Sequence, residues 1–367
     1  MRALNNVLVT GGAGFIGANF IRYLLEQPEF RGRVVNLDAL TYAGNLDNLH
    51  EIAEGPHGSG THDSAGVSAP RYVFEHADIR EFDTVADLFA RYEFDTVVHF
   101  AAESHVDRSI VGPRAFIETN IGGTFNLLEA ARSAWGDRDD VLFHHVGTDE
   151  VFGSLGAEGA FHEHTPYDPK SPYSASKASS DHLVRAHGHT FALPFTISNC
   201  SNNYGPYQFP EKMVPLMILN ALEGKPLPVY GDGGNVRDWL YVEDHASAIW
   251  SIMRRGRNGE TYLVGGENEW ENLTLVHAIC EKVAAVRGEP TERYTDLIRF
   301  VKDRPGHDHR YAVNCNKIKH DLGWRQAHEF SSGLDATIAW YLNNTTWVER
   351  VRSGAYKDWI EANYAAR

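Results

Sequence analysis

Tyr173 and Lys177 stand four residues apart in Ser171-Pro-Tyr-Ser-Ala-Ser-Lys, and that spacing could do acid–base chemistry. Residues i and i+4 share one face of a helix. Ser171 suits the N-cap of such a helix and Pro172 its first turn. A phenol near its free pKa of ~10 is a poor base at neutral pH, but an adjacent ammonium favours the phenolate, which can take a proton from an alcohol. The plain alternative is a core tyrosine next to a solvated lysine. A second chemical group is Thr148-Asp149-Glu150, after the strand-like Val141-Leu142-Phe143. Two neighbouring acids can be an ordinary loop or helix-entry pair. At the C-terminal end of a strand in a doubly wound sheet, they face the crevice where ligands bind.

Gly11, Gly14 and Gly17 form G-x-x-G-x-x-G between Val7-Leu8-Val9 and a helical pattern from Phe15 to Leu25. A tight strand-to-helix turn needs residues without Cβ, a pyrophosphate must approach the backbone, and the helix N-terminus faces its charge. With these flanks the motif points to a dinucleotide. Asp38 ends the next apolar run, Val34-Val35-Asn36-Leu37, about 20 residues on, where an acid binds the adenosine ribose. Its carboxylate repels a 2′-phosphate, which favours NAD over NADP; the plain reading is a cap or loop acid. Asp78-Ile79, beyond Tyr72-Val73-Phe74, can flank the adenine. Ala101-Ala102, after Thr96-Val97-Val98-His99-Phe100, can border the cofactor. A nicotinamide's positive charge would then join Lys177 in favouring the Tyr173 phenolate while hydride leaves.

These groups need a scaffold, and the first 150 residues supply its pattern. Short continuous apolar runs alternate with amphipathic segments, among them a helical stretch from about 115 to 133. That alternation predicts an α/β fold, a Rossmann-type doubly wound parallel sheet, whose strands are buried on both faces. At 367 residues the chain exceeds one ordinary core, so a smaller mixed α/β substrate-binding domain is expected after the sheet. The expected boundaries are 1–200 for the dinucleotide domain, 201–340 mainly for the substrate domain and 341–367 for a C-terminal helical segment, with some later segments returning to the first domain. Residues Gly55–Pro70, rich in Gly, Ser, His and Pro, read as an inserted surface loop without assigned function. Loops dense in Asn, Gly, Pro and aromatics after Ser198 suggest a ligand-binding cap.

Composition excludes some classes. Hydrophobic residues at 43% and charged residues at 23% are ordinary for a soluble globular protein. A net charge of −15 argues against a nucleic-acid partner. Three scattered cysteines (Cys200, Cys280, Cys315) predict neither disulfides nor a metal site and fit a reducing compartment. The start lacks a signal-peptide apolar region and no stretch approaches a membrane span, so a cytoplasmic protein without a membrane partner is expected.

The motifs together carry a family resemblance. Val9-Thr-Gly-Gly-Ala-Gly-Phe-Ile-Gly, Leu40-Thr-Tyr-Ala-Gly-Asn and Ala101-Ala-Glu-Ser-His-Val-Asp-Arg-Ser lead into Thr148-Asp-Glu-Val and Tyr173-Ser-Ala-Ser-Lys. Asn202-Asn-Tyr-Gly-Pro-Tyr-Gln-Phe-Pro-Glu-Lys, Arg237-Asp-Trp-Leu-Tyr-Val-Glu-Asp-His and Asp303-Arg-Pro-Gly-His follow. Over most of its length the chain resembles the extended short-chain dehydrogenase/reductases, and within them the 4,6-dehydratases of dTDP-glucose. The resemblance implies NAD as cofactor, a nucleotide-sugar substrate and a homodimer through helices at about 115–133 and 174–190. It implies that Glu150 removes the C5 proton of a 4-keto sugar, that protonated Asp149 donates to the departing C6 hydroxyl, and that Thr148 holds the C4 oxygen beside Tyr173. It places Phe15, Ile16, Thr41, Gly44, Ser104, Thr119 and Asn203 along the cofactor, with Ser104 also toward the sugar. Asn202, Arg237, Asn272, Arg304 and His307 would hold the diphosphate and nucleoside, and Glu211-Lys212 would lie near the base. Arg237 can clamp phosphate bidentately, or instead pair with Asp238 or Glu243. Three positions depart from the family pattern: Phe152 for Tyr, Asn199 for Arg, and Ala39 for Lys. Rival readings on the same scaffold are a sugar-nucleotide 4-epimerase or decarboxylase, which would not need Asp149 and Glu150, and a non-catalytic NAD-binding sensor.

Overall fold

The structure is a computed structural model that describes residues 2, 4–58, 62–63, 66–67, 70–304 and 306–352. Its strands are β1 (Asn6–Thr10), β2 (Arg33–Asp38), the hairpin pair β3 (His62–Asp63) and β4 (Gly66–Val67), β5 (Tyr72–His76), β6 (Thr96–His99), β7 (Leu142–Thr148) and β8 (Phe195–Cys200). Then come β9 (Asn202–Tyr204), β10 (Leu227–Tyr230), β11 (Val236–Tyr241), β12 (Glu260–Val264), β13 (Glu269–Glu271) and β14 (Ile298–Val301). Seven of them form one parallel sheet in the order β12-β8-β7-β6-β1-β2-β5. This is the doubly wound α/β architecture that the alternation predicted.

Continuous apolar strands become two-faced cores because successive side chains point to opposite faces. On β1, Val7 and Val9 join one buried cluster with Phe20, Ile21 and Leu24 of the helix Phe15–Glu26 and with Ile249 and Met253 of the helix Val242–Arg255. Leu8 between them joins the opposite cluster, with Val97, Leu127 and Val184. Each fully buried aliphatic side chain contributes roughly 1.5–3 kcal/mol. A further core gathers Tyr204, Trp239, Leu275, Leu334 and Trp347 around the three-stranded sheet β13-β11-β9. Trp347 also donates to Asn48 Oδ1 at 2.7 Å, joining that core to the first 50 residues.

Local structure differs from the sequence expectation in two places. The stretch expected as one helix at 115–133 consists of a short helix Pro113–Phe116, a π-helical turn Ile117–Gly123 and the helix Thr124–Trp135. The expected loop Gly55–Pro70 contains the β3–β4 hairpin, while 59–61, 64–65 and 68–69 lie outside the described residues. The C-terminal segment is helical at Phe330–Asn343 and Thr345–Val351, and 353–367 lie outside the described residues. Among the described residues, no helix is long and apolar enough to cross a membrane.

The glycines after β1 are not equivalent. A Cβ on Gly17 would stand 2.3 Å from Gly11 O and 2.8 Å from Gly12 Cα, whereas one on Gly14 meets only Gly11 O, at 3.3 Å. Gly17→Ala should therefore push the helix from the strand and destabilise the fold by about 2 kcal/mol or more, with Gly14→Ala costing about 1 kcal/mol or less. Urea unfolding of the two variants side by side checks this ordering.

Candidate active site

Parallel strands deliver their C-terminal ends to one edge, and a cleft runs along it between β1 and β6, where the strand order reverses. At its near end Gly11 adopts φ +71°, and a Cβ there would meet Ala101 N at 2.7 Å. Asp38 closes β2 with both carboxylate oxygens engaged, Oδ2 by Ala13 N at 2.9 Å and Oδ1 by Leu40 N at 2.8 Å. Burial raises its pKa, and these two N–H groups pull it back down. Gly11, Gly14, Phe15, Ile16, Gly17, Asp38, Thr41, Gly44, Asp78, Ile79, Ala101, Ala102, Ser104, Thr119 and Asn203 all line this one cleft. So do Thr148, Asp149, Glu150, Tyr173, Lys177, Asn202, Glu211 and Lys212.

The helix Pro172–Phe191 begins as its sequence suggests. Ser171 Oγ accepts from Ser174 N, Ser174 Oγ accepts from Ser171 N, and Pro172 occupies the first turn. This capping box sets where Tyr173 and Lys177 enter the cleft. Lys177 Nζ donates to Val146 O on β7 at 2.7 Å. Tyr173 packs edge-on against Phe116 at 6.2 Å. Burial first, then Coulomb interaction with Glu150 and Cys200, raises the pKa of this phenol well above its usual value, against a hydrogen bond with Thr148.

β7 extends to Thr148 itself, beyond the three residues visible as a strand in sequence, and the chain then turns sharply through Asp149–Phe152. Thr148 Oγ1 caps that turn by accepting from Glu150 N. The two adjacent carboxyl groups meet different surroundings. Asp149 is buried, and desolvation, then Glu150 and Asp238, raise its pKa well above the usual carboxylate range. Burial also raises Glu150, but Arg304, Arg237 and Lys212 all oppose the rise. Both carboxyls are pushed toward the protonated form, Asp149 strongly, whereas three cations oppose the push on Glu150.

Arg237, Asn272, Arg304 and His307 are not part of the cleft lining. Arg237 makes neither of the ion pairs considered from sequence. Its guanidinium donates to the carbonyls of Val236, Asp308 and His309 and lies 4.4 Å from the Tyr311 ring centroid. Asp238 instead accepts from Gly266 N and Asn268 N. Arg304 approaches Asp107 at 3.6 Å, and His307 Nδ1 contacts Asp303 at 2.7 Å. Burial, then Arg304 and Arg237, lower His307 to about 4, so its ring is neutral near pH 7. Asn272 starts the helix Asn272–Arg287, with its Oδ1 buried and lacking a hydrogen-bond partner. Asn202 Oδ1 is orphaned in the same way. Pro305 of the same loop lies outside the described residues.

Several contacts in the cleft were not foreseen from the sequence. Arg108 pairs with Glu211 at 2.9 Å and lies 3.8 Å from the Tyr42 ring centroid, so Glu211, expected near the base, has its carboxylate engaged from within the protein. Cys200, Gln208 and Phe209 also line the cleft. Arg108, Tyr42, Gln208 and Phe209 lie within the motifs that carry the family resemblance, but their spacing assigns them no role, and Cys200 lies in none of those motifs. Two departures from the family pattern have structural explanations. Phe152 stacks on Phe161 at 5.2 Å and meets Tyr167 edge-on at 5.1 Å, an apolar nest that requires no hydroxyl from it. Asn199 Nδ2 donates to Thr148 O at 3.2 Å and Asp181 Oδ2 at 2.9 Å. Ala39 lines the cleft beside Asp38.

Known proteins share this sequence and fold. A family model described as GDP-mannose 4,6 dehydratase matches residues 8–337. The dTDP-glucose 4,6-dehydratase of Salmonella typhimurium is 51% identical, over 98% of this chain and 99% of its own. That of Neisseria meningitidis serogroup B is 53% identical over 96% and 98%. Among solved structures, DesIV, a dTDP-glucose 4,6-dehydratase from Streptomyces venezuelae with NAD bound, superposes with a TM-score of 0.84 at 42% identity, over 94% of this chain and 99% of its own. A Thermus thermophilus UDP-glucose 4-epimerase in complex with NAD shares the fold at a TM-score of 0.78 and 27% identity, over 92% and 99%. From β1 to the helix Phe330–Asn343, the chain belongs to the 4,6-dehydratase family of extended short-chain dehydrogenase/reductases.

Proposed function

We propose that this protein is an NAD-dependent hydro-lyase that converts dTDP-glucose to dTDP-4-keto-6-deoxyglucose. The observation that carries the reading is the split between Asp149 and Glu150, since elimination needs an acid and a base side by side and epimerisation needs neither. The residues present fit a dinucleotide: the turn at Gly11 and Gly17 has no room for Cβ atoms, and Asp38 ends β2 where a ribose would sit. A bound NAD⁺ would supply the hydride acceptor for C4 and the hydride donor for C6.

Tyr173 takes the C4 hydroxyl proton, with Thr148 holding the same oxygen. Burial and Glu150 raise Tyr173, so its phenolate would need the Lys177 ammonium one turn along the helix and the positive charge of a bound nicotinamide. The C4 ketone acidifies the C5 proton, which Glu150 removes. Asp149 protonates the departing C6 hydroxyl, and C5 is reprotonated after C6 is reduced. Arg237, Arg304 and Lys212, already oriented around Glu150, offer cations to the diphosphate. Asn202 and Asn272, each with an unpartnered buried carbonyl oxygen, offer polar contacts to the rest of the nucleotide.

We also infer a homodimer and a cytoplasmic location. Val111 (81% exposed), Ile117, Phe125 and Phe191 leave apolar surface on helices that flank the cleft, which supports pairing with a second copy. Three unpaired buried cysteines suit a reducing compartment.

Incubation with dTDP-glucose should yield a 4-keto-6-deoxy product by NMR, and Tyr173→Phe should reduce turnover by about 10²-fold or more. A galactose product, or no turnover of any nucleotide sugar, would overturn the reading. Glu150→Gln should still form the C4 ketone but lose solvent deuterium exchange at C5; undiminished exchange would remove Glu150 as the base. Phe125→Glu should shift the light-scattering mass from two chains toward one.

A further inference from the structure

Asp181 is a fully buried carboxylate with no assigned part in the reaction, one helical turn beyond Lys177 and on its face. Three elements converge on it. Tyr167 Oη, from the segment before the helix, donates at 2.6 Å, and Asn199 Nδ2, on β8, donates at 2.9 Å. His145 Nε2, on β7, lies 3.1 Å from Oδ1. The same Asn199 amide reaches Thr148 O. Gly147 leaves room for this arrangement, since a Cβ there would meet Asn199 Nδ2 at 2.4 Å and Asp181 Oδ1 at 3.1 Å. A polar knot therefore sits directly behind the strand end that presents Thr148, Asp149 and Glu150.

A carboxylate so deeply buried is strongly unfavourable unless a cation faces it. On its own helix, it faces Lys177 and, through Tyr167 Oη, Arg185, which donates to that oxygen at 2.8 Å. From β7, His145 offers little charge, because burial and then Lys177 lower it to about 4. Lys177 in turn faces Cys200 from β8, the neutral rings of His99 and His145 from β6 and β7, and Asp181. Asp181 is thus the carboxylate nearest to it along the helix.

We propose that Asp181 is a positioning residue for the reaction: its negative charge keeps the buried Lys177 ammonium protonated, and its hydrogen bonds hold the Tyr173 helix in register with the Thr148–Glu150 strand end. The inference rests on Tyr173 and Lys177 being the proton-transfer pair of the proposed reaction. Burial lowers the pKa of Lys177 and Asp181 raises it. Loss of the Asp181 charge lowers it further, so Lys177 sheds its proton at lower pH and the alkaline limb of activity follows.

Asp181→Asn keeps an acceptor oxygen and removes the charge, whereas Asn199→Ala removes a hydrogen bond and keeps the charge. Two curves are measured on the purified holoenzymes: the pH dependence of keto-sugar formation and that of Lys177 acylation by a small anhydride, read by mass spectrometry. Asp181→Asn should move both alkaline transitions down by about one pH unit or more. Asn199→Ala should leave them in place. Curves for Asp181→Asn that coincide with wild type overturn the inference, even if turnover falls. Asp181→Ser, which also removes the charge, should give the same shift and replaces the Asn variant if that variant does not fold. A wild type without dehydratase turnover would defeat the proposed function, while the acylation curves would still decide the role of Asp181.

Discussion

The hydrogen bond from Lys177 Nζ to Val146 O, at 2.7 Å, ties the two halves of the site directly to each other. Lys177 belongs to the helix that presents Tyr173, and Val146 lies two residues before Thr148 on β7. The ammonium is buried, so leaving it unpaired would cost more than the bond gains. That asymmetry makes the contact a strong constraint on how the helix lies across the strand. The capping box at Ser171 sets the start of the helix, and the lysine sets its height above the sheet.

A second tie comes from the π-helical turn at Ile117–Gly123. A π turn leaves a carbonyl without its usual partner, and such turns often mark functional segments. Here Asn120 O accepts from Ser180 Oγ at 2.6 Å and Thr124 Oγ1 at 2.5 Å. The Asn120 side chain meanwhile joins Glu103, in the loop after β6, to Ser176. An irregularity in one helix thereby clamps the Tyr173 helix to the loop that carries Ser104.

Electrostatics then separates groups that chemistry alone would treat alike. Asp149 and Glu150 are neighbours of nearly equal intrinsic acidity. Asp149 feels Glu150 and Asp238 against Arg237 alone, while Glu150 feels Arg304, Arg237 and Lys212, which arrive from other segments of the chain. The short turn after Thr148 brings both carboxyls to the same cleft.

Much of this was legible in the residues themselves. Strand and helix periodicity, the glycine turn, Asp38 and the Tyr173–Lys177 spacing depend on neighbours within a few positions, so local chemistry suffices to read them. The π turn escaped because its cause is a set of hydrogen bonds from a helix some 60 residues away in sequence. Arg108 with Tyr42 and Glu211, the backbone use of Arg237, and Asp181 with His145 and Asn199 escaped for the same reason. The sequence by itself determined the doubly wound scaffold and which residue types reach its C-terminal edge. Only the tertiary structure decided how strongly each carboxyl is pushed toward its protonated form and which cations oppose that push, because burial and Coulomb interactions depend on distances between segments far apart in the chain.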